Sequence, residues 1–291
     1  MRPVLATLLD LLRLERIEAD TFRGASQDLG WGAVFGGQVL GQALSAAVQT
    51  VTPERHVHSL HGYFLRQGDP SKPILYQVDR SRDGTSFATR RVVAVQNGRP
   101  ILHMAASFQV HEDGFEHQAP MPDHVPPEGL RSERELAQRV AERIPAPLRA
   151  AATGERAIEF RAVHPTDPFR PVASPGARQT WCRVAEPLPD DPALHRYLLA
   201  YASDFNFLTT ATLPHAVSWL TPGVQVSSLD HAMWFHRPFR VDEWLLHVIE
   251  SPSASGARGL VQGRFYDQAG RLVASAAQEG LMRDRRGEPR V

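Results

Sequence analysis

Between Ile74 and Gln109, apolar and polar positions alternate in three runs, ILYQVDRSRD, SFATRRVVAVQ and RPILHMAASFQ. That period of two predicts three antiparallel strands, and the Asp83-Gly84 and Asn97-Gly98 pairs between them are hairpin-turn signals. The stretch WLLHVIESPSASGARGLVQGRFYDQAGRLVASAAQE (244–279) runs through the same order: strand, small-residue turn, strand, Gly270 turn, strand. An offset of 170 brings Leu75 onto Leu245, Val78 onto Val248, Leu102 onto Leu272 and Ala106 onto Ala276. Upstream, VHSLHGYFLRQGDP (57–70) falls on VSSLDHAMWFHRPF (226–239) with a slip of a residue or two, and FGGQVLGQALSAAVQTV (35–51) faces FNFLTTATLPHAV (205–217). Each half therefore reads as a helix followed by about four antiparallel strands, with one more strand before the helix.

Between the halves the composition changes. HEDGFEHQAPMPDHVPPEGL is rich in proline, histidine and acid, a linker composition, and in the following RSERELAQRVAERI, Ser132 and Glu135 form a capping box for a short helix. The expected organisation is a unit over 1–112, a linker over 113–156 and a like unit over 157–291. The fold class expected is α+β, with each unit a central helix wrapped by a curved antiparallel sheet. Gly36, Gly37, Gly41, Ala43, Ala46 and Ala47 give the first helix a small-residue surface for close backbone approach. At the N-terminus, Leu5, Leu8, Leu9 and Leu12 share one helical face, while Asp10, Arg13 and Glu15 interrupt the apolar run. No small-residue cleavage site follows, so this reads as an amphipathic helix of the mature chain and not as a signal peptide.

The balance of charge narrows the function classes. The 291 residues are 42% hydrophobic and 22% charged, and the formal net charge is zero, which supplies no field for nucleic acid. No apolar run is long enough to span a bilayer. Cys182 is the only cysteine and lies in the strand-like RQTWCRV, excluding an internal disulfide and a cysteine-rich metal site and pointing to a reducing compartment. Lys72 is the only lysine, and the closing RRGEPRV carries no targeting signal, so a cytoplasmic location is expected.

Several catalytic signatures are missing: GxSxG, HExxH, CxxC, a P-loop and a GxGxxG turn. His56 and His58 alternate onto one face of an expected strand, but no third metal ligand accompanies them. What stands out is AYASDFNFL (200–208). The helix expected over RYLLAYAS buries Tyr197, Leu198 and Tyr201, so Asp204 at its end, beside a second helix, is a half-buried acid. Such a carboxylate is either capped and partnered or a base with a tuned pKa. Ser228 lies in GVQVSSLDHAMWFHRPF with Asp230 and His231, and Gln278 ends LVASAAQEG. An acid, a hydroxyl and an amide suit the orientation and deprotonation of water for attack on an activated carbonyl.

The stretches VFGGQVLGQAL (34–44), HSLHGYFLRQGD (58–69), RDGTSFATRRV (82–92), YASDFNFL (201–208), DHAMWFHRPF (230–239) and ASAAQEGLMR (274–283) span nearly the whole chain. On these the chain resembles the acyl-CoA thioesterase II family, whose fold is a double hotdog. The resemblance implies hydrolysis of fatty acyl-CoA to free fatty acid and CoA without metal or cofactor. It places the family's catalytic Asp, Thr or Ser, and Gln on Asp204, Ser228 and Gln278. Serine stands where members carry threonine, which keeps the hydroxyl and loses a methyl. The equivalent site in the first half is expected to be degenerate, since Val34 and Phe108 face Asp204 and Gln278 at the offset of 170. Two chemistries remain open: Asp204 as general base, or Asp204 attacking to form an anhydride. The oxyanion donor is expected to be a backbone N–H near the helix start or the Gln278 amide.

Candidates for the CoA phosphates are Arg66, Arg82, Arg90, Arg91, Arg237 and Arg258, and for the acyl chain Phe205, Phe207, Met233 and Trp234. Each also has a structural reading as a solvated or paired arginine or a core residue. The partners expected are an acyl-CoA substrate and further copies of the chain, as a dimer or tetramer, with neither nucleic acid nor stable membrane association. Two alternatives stay open. One is a hotdog enoyl-CoA hydratase or dehydratase pairing an Asp with His231 or His61; the other is a non-catalytic acyl-CoA-binding module.

Overall fold

In this computed structural model residues 1–286 are described; the last five, with most of the RRGEPRV tail and the end of the expected second unit, lie outside the described residues. The first half contains helix α1 (Pro3–Leu12), strands β1 (Glu15–Glu18) and β2 (Thr21–Gly24), and helix α2 (Gly36–Val48). Strands β3 (Arg55–Phe64), β4 (Ile74–Asp83), β5 (Phe87–Gln96) and β6 (Arg99–Val110) follow. The connecting region holds α3 (Glu133–Arg139) and α4 (Ala146–Thr153). The second half contains β7 (Ile158–Ala162), β8 (Ala177–Val184), α5 (Pro192–Ser203) and a 3-10 segment (Leu208–His215). It ends with β9 (Val224–Ser228), β10 (Asp230–Phe235), β11 (Leu245–Ser255), β12 (Arg258–Asp267) and β13 (Leu272–Asp284).

Among the described residues, thirteen strands join one antiparallel sheet in the order β1-β2-β4-β5-β6-β3-β10-β13-β12-β11-β8-β7, with β9 attached to β13. Outward from the central β3–β10 seam the order is the same in both directions, so the internal repeat read from the sequence is built into the sheet. The seam pairs Leu60 with Met233 and Gly62 with His231. Both halves carry two short strands before their helices, where the alternation pattern suggested one. The Asn97-Gly98 turn has φ of 52° and 70°, the left-handed pair a tight hairpin requires. Asp83-Gly84 instead opens a longer connection between β4 and β5, because Asp83 is itself the last residue of its strand.

The helical layer departs from the expected pattern in one informative way. The counterpart of α2 over 205–217 is a 3-10 segment, not an α-helix; Pro214 lies inside it and Ala216 ends it in the left-handed region. This segment packs on β8, β9 and β11–β13, while α2 packs on β2–β6. The small face of α2 has a different partner: α5, which runs antiparallel beside it. A methyl on Gly37 would collide with the Tyr201 carbonyl, and one on Gly41 would lie 3.1 Å from the Tyr197 carbonyl. The glycines therefore close the interface between the halves. Gly37→Ala must push backbone against backbone, and overpacking of this kind costs about 1–3 kcal/mol. The expected result is a clear fall in Tm, larger than for Gly41→Ala; equal melting with the wild type would show that this contact yields freely.

Leu5, Leu8, Leu11 and Leu12 are the buried face of α1, so Leu11 takes the place expected for Leu9, which is only partly covered. The capping box of α3 forms, with Ser132 accepting from the Glu135 N–H and Glu135 from the Ser132 N–H. The proline-rich stretch before α3 has only a 3-10 turn at Pro127–Gly129 and is tied down as a strap over β8, β12 and β13. Gln118 bonds Gly270 and Leu272, Tyr266 bonds the Pro120 carbonyl and Trp181 the Val125 carbonyl.

Candidate active site

Asp204 is the residue at which α5 stops, with φ −82° and ψ −11°. Apolar spacing along α5 buries Leu194, Leu198, Leu199 and Tyr201 and delivers the next turn into the interface with α2. The Asp204 side chain is only 7% exposed. It sits against the start of α2: a Cβ on Gly36 would fall 2.7 Å from its Oδ2, and the Gly37 N–H bonds it. The unpaired N–H groups and positive dipole end of α2 favour the carboxylate. Burial outweighs this, so its pKa is raised above the usual 3.8, with the Gln278 amide and the Gly37 N–H pulling the other way.

Gln278 arrives from the opposite wall. On β13 the inward positions are Ala274, Ala276, Gln278 and Gly280, so one amide projects from a row of small residues. Its Nε2 lies 2.8 Å from Asp204 Oδ1 and 3.2 Å from His231 Nδ1. Its Oε1 is buried and has no hydrogen-bond partner among the described residues. His231 is fully buried on the same face of β10 as Met233; its Nε2 lies 2.9 Å from Ser203 Oγ and its Nδ1 4.0 Å from Asp204 Oδ1. Burial pushes its pKa down to about 3, so the ring is neutral.

Ser228 ends β9 opposite Gly280, two residues along β13 from Gln278. Its hydroxyl makes no side-chain hydrogen bond among the described residues, to Asp204 and Gln278 included. The structure thus brings Asp204 and Gln278 together and places Ser228 on the neighbouring strand with its hydroxyl free. Sequence reasoning had His231 only as a rival catalyst and missed Gly36, Gly37 and Ser203. The alternation of DHAMWF, which puts His231 and Met233 on one inward face, was the signal for the first of these.

The aromatic candidates separate. Phe205 is buried beside Asp204 with its ring 4.3 Å from Phe35, and Trp31, 45% exposed, carries the cluster to the surface. Phe207 packs on His231 and His247, and Met233 is fully buried. Trp234 points to the other face of β10, edge-on to His61, and so is removed from the site. His61 is exposed on that same outer face, away from Asp204.

The arginines separate as well. Arg90 is 1% exposed and fully occupied: it bonds Asp83 at 2.6 Å, Thr50 Oγ1 at 2.8 Å and the Thr50 and Arg82 carbonyls. It is a structural arginine at the far end of α2 and not a phosphate ligand. Arg237 bonds the Leu272 carbonyl and pairs with Glu116, and Arg258 pairs with Glu279 at 2.9 Å. Arg82 and Arg91 are exposed. Arg66 bonds the Pro100 carbonyl and lines a surface pocket of about 380 Å³ with Asp69, Gln96 and Arg99. His58 bonds Ser107, and no three potential metal ligands cluster among the described residues.

The sequence and the fold coincide with known proteins. Residues 26–109 match the family model described as acyl-CoA thioesterase N-terminal domain, and 148–281 that described as acyl-CoA thioesterase. An acyl-CoA thioesterase II from Mycobacterium marinum superimposes with a TM-score of 0.78 at 42% identity, covering 95% of this chain and 98% of that one. A hot dog fold protein from Alicyclobacillus acidocaldarius, 21% identical with a TM-score of 0.76 over 95% of this chain and 98% of its own, shares the fold. Together these define the class as a hotdog-fold thioesterase. Acyl-CoA thioesterase 2 of Haemophilus influenzae is 44% identical over 97% of this chain and 99% of its own, and human acyl-coenzyme A thioesterase 8 is 42% identical over 97% and 90%. The chain belongs to the acyl-CoA thioesterase II family.

Proposed function

We propose that this chain hydrolyses fatty acyl-CoA to free fatty acid and CoA, with Asp204 accepting a proton from the attacking water. The observation that carries this reading is the buried Asp204 carboxylate held between the start of α2 and the Gln278 amide, 2.8 Å away. A raised pKa makes the carboxylate, once ionised, a stronger base than a solvated aspartate. Gln278 Oε1, buried without a partner among the described residues, and the Ser228 hydroxyl on the neighbouring strand β9 are the groups we assign to hold the water. As water oxygen bonds to the thioester carbon, the carbonyl becomes an oxyanion; its collapse breaks the C–S bond and releases the CoA thiolate. Both Gln278 amide hydrogens face Asp204 and His231, and the Gly37 N–H serves Asp204, so we assign the oxyanion to the Gly36 N–H at the start of α2.

His231 does not support the hydratase alternative, because both its ring nitrogens are occupied and burial keeps it neutral. On our reading 1–112 and 157–291 act as two hotdog units joined by 113–156, with the reactive groups of the second completed by α2 of the first. Among the described residues no helix is long and apolar enough to cross a membrane. A cytoplasmic location agrees with a single buried thiol, Cys182, and self-association as a dimer or tetramer belongs to the same reading.

Thiol release from palmitoyl-CoA and from a short acyl-CoA, followed with a thiol-reactive dye, tests the activity. Turnover on at least one is expected; binding without turnover on both would favour the binding-module reading. Ser228→Ala removes one of several contacts to the water, so kcat is expected to fall about tenfold, the scale of one hydrogen bond. An unchanged kcat would take Ser228 out of the site.

A further inference from the structure

Hydrogen-bond bookkeeping around Gln278 leaves one arrangement. A single side-chain atom of Gln278 lies within reach of both Asp204 Oδ1 and His231 Nδ1, at 2.8 and 3.2 Å. Facing an ionised carboxylate, that atom must be the amide nitrogen, which has two hydrogens and can serve both acceptors. His231 Nδ1 must then carry no proton. The other side of the ring requires the same. Ser203 Oγ lies 2.9 Å from the Ala200 carbonyl, to which its hydroxyl can only donate, so it accepts from His231 Nε2–H, also at 2.9 Å. Reversing the tautomer would turn Nδ1–H against the Gln278 amide hydrogens and deprive the Ala200 carbonyl of its donor.

We infer that His231 is a positioning residue for the hydrolysis: locked as the neutral Nε2–H tautomer by Ser203, it holds the Gln278 amide so that its oxygen, and not its N–H groups, meets the attacking water. The chain runs from the Ala200 carbonyl through Ser203, His231 and Gln278 to Asp204, with every hydrogen assigned. Its free end is the buried Gln278 Oε1, which has no other partner among the described residues. An acceptor at that point orients a water by taking one of its hydrogens while Asp204 takes the other. This inference rests on the proposed reaction, but the tautomer it requires is observable without turnover.

The test is made on the full chain. Long-range proton–nitrogen NMR of the imidazoles, with His231 assigned by its loss in His231→Asn, is expected to show an unprotonated Nδ1 and a protonated Nε2 at neutral pH; the opposite tautomer overturns the inference. Ser203→Ala, a small deletion remote from the reacting atoms, is expected to mix the tautomers and lower kcat about tenfold with KM within about twofold. His231→Asn, which keeps an acceptor near the Nδ1 position, should retain more kcat than His231→Leu. Ser203→Ala with wild-type kcat and an unmixed tautomer, or His231→Leu with wild-type kcat, contradicts it. If the wild type hydrolyses no acyl-CoA, the proposed function fails, and the NMR result then stands as a statement about the site alone.

Discussion

Asp204→Asn is expected to lower kcat for acyl-CoA by at least about a hundredfold, the usual contribution of a positioned general base, with little change in substrate affinity. The substitution is nearly isosteric and keeps an oxygen for the Gln278 amide, so fold and pocket shape are retained. Two further results belong to the same cause. In the wild type, kcat/KM should fall on the acid side with a midpoint above 3.8, because burial raises the Asp204 pKa and only the ionised form accepts a proton. The stability effect has the opposite sign to the activity effect. A carboxyl whose folded pKa lies above its unfolded value stabilises the fold at low pH and loses that contribution as pH rises through the folded pKa. Asp204→Asn should therefore melt higher than the wild type at neutral pH, with the advantage shrinking in acid. Activity within a few-fold of wild type, or an acid limb at or below 3.8, would remove Asp204 from the role of base.

The second large effect is expected at Gln278. Gln278→Ala leaves Asp204 Oδ1 and His231 Nδ1 without a donor in a buried site, and one orphaned buried group costs about 1–3 kcal/mol. We expect kcat to drop by about a hundredfold, as for loss of a preorganised polar contact to the reacting group, with a lower Tm. Gln278→Glu is the sharper variant. It sets a second carboxylate beside Asp204 where 2.8 Å now separates the amide from Oδ1. Two carboxylates sharing a site cannot both ionise easily, so one pKa rises strongly. Activity should be low at neutral pH and recover as pH rises, shifting the acid limb of kcat/KM to higher pH. A profile unchanged from wild type would mean that residue 278 does not face Asp204 in solution.

The repeat was legible because strands report themselves with a period of two, and the offset of 170 predicted which strands would be equivalent across the β3–β10 seam. The 3-10 segment over 208–215 was less legible: its apolar spacing fits a helix, and only Pro214 hints that an α-helix would fail. Asp204 and Gln278 stood out as polar residues late in apolar elements, but their roles came from the family resemblance, since an acid after an apolar helix and an amide at a strand end are individually ordinary. Their meeting depends on the packing of β13 under the helices and on the α2–α5 contact, which no local pattern encodes. The same limit explains the arginines. Arg90 looks on paper like its exposed neighbour Arg91, yet it lies on the inward face of β5 and caps the end of α2 through Thr50. Trp234 misled for a comparable reason: one step along β10 from Met233 reverses the face.

The central claim is that Asp204 delivers water rather than attacking the thioester itself. A single turnover in ¹⁸O-labelled water, quenched and read by mass spectrometry of both the released fatty acid and the intact protein, separates the two. Our account predicts ¹⁸O in the fatty acid, no acyl adduct on the protein at any quench time and no label in the peptide containing Asp204. An acyl adduct, or ¹⁸O in that peptide, would make the carboxylate the nucleophile and contradict it.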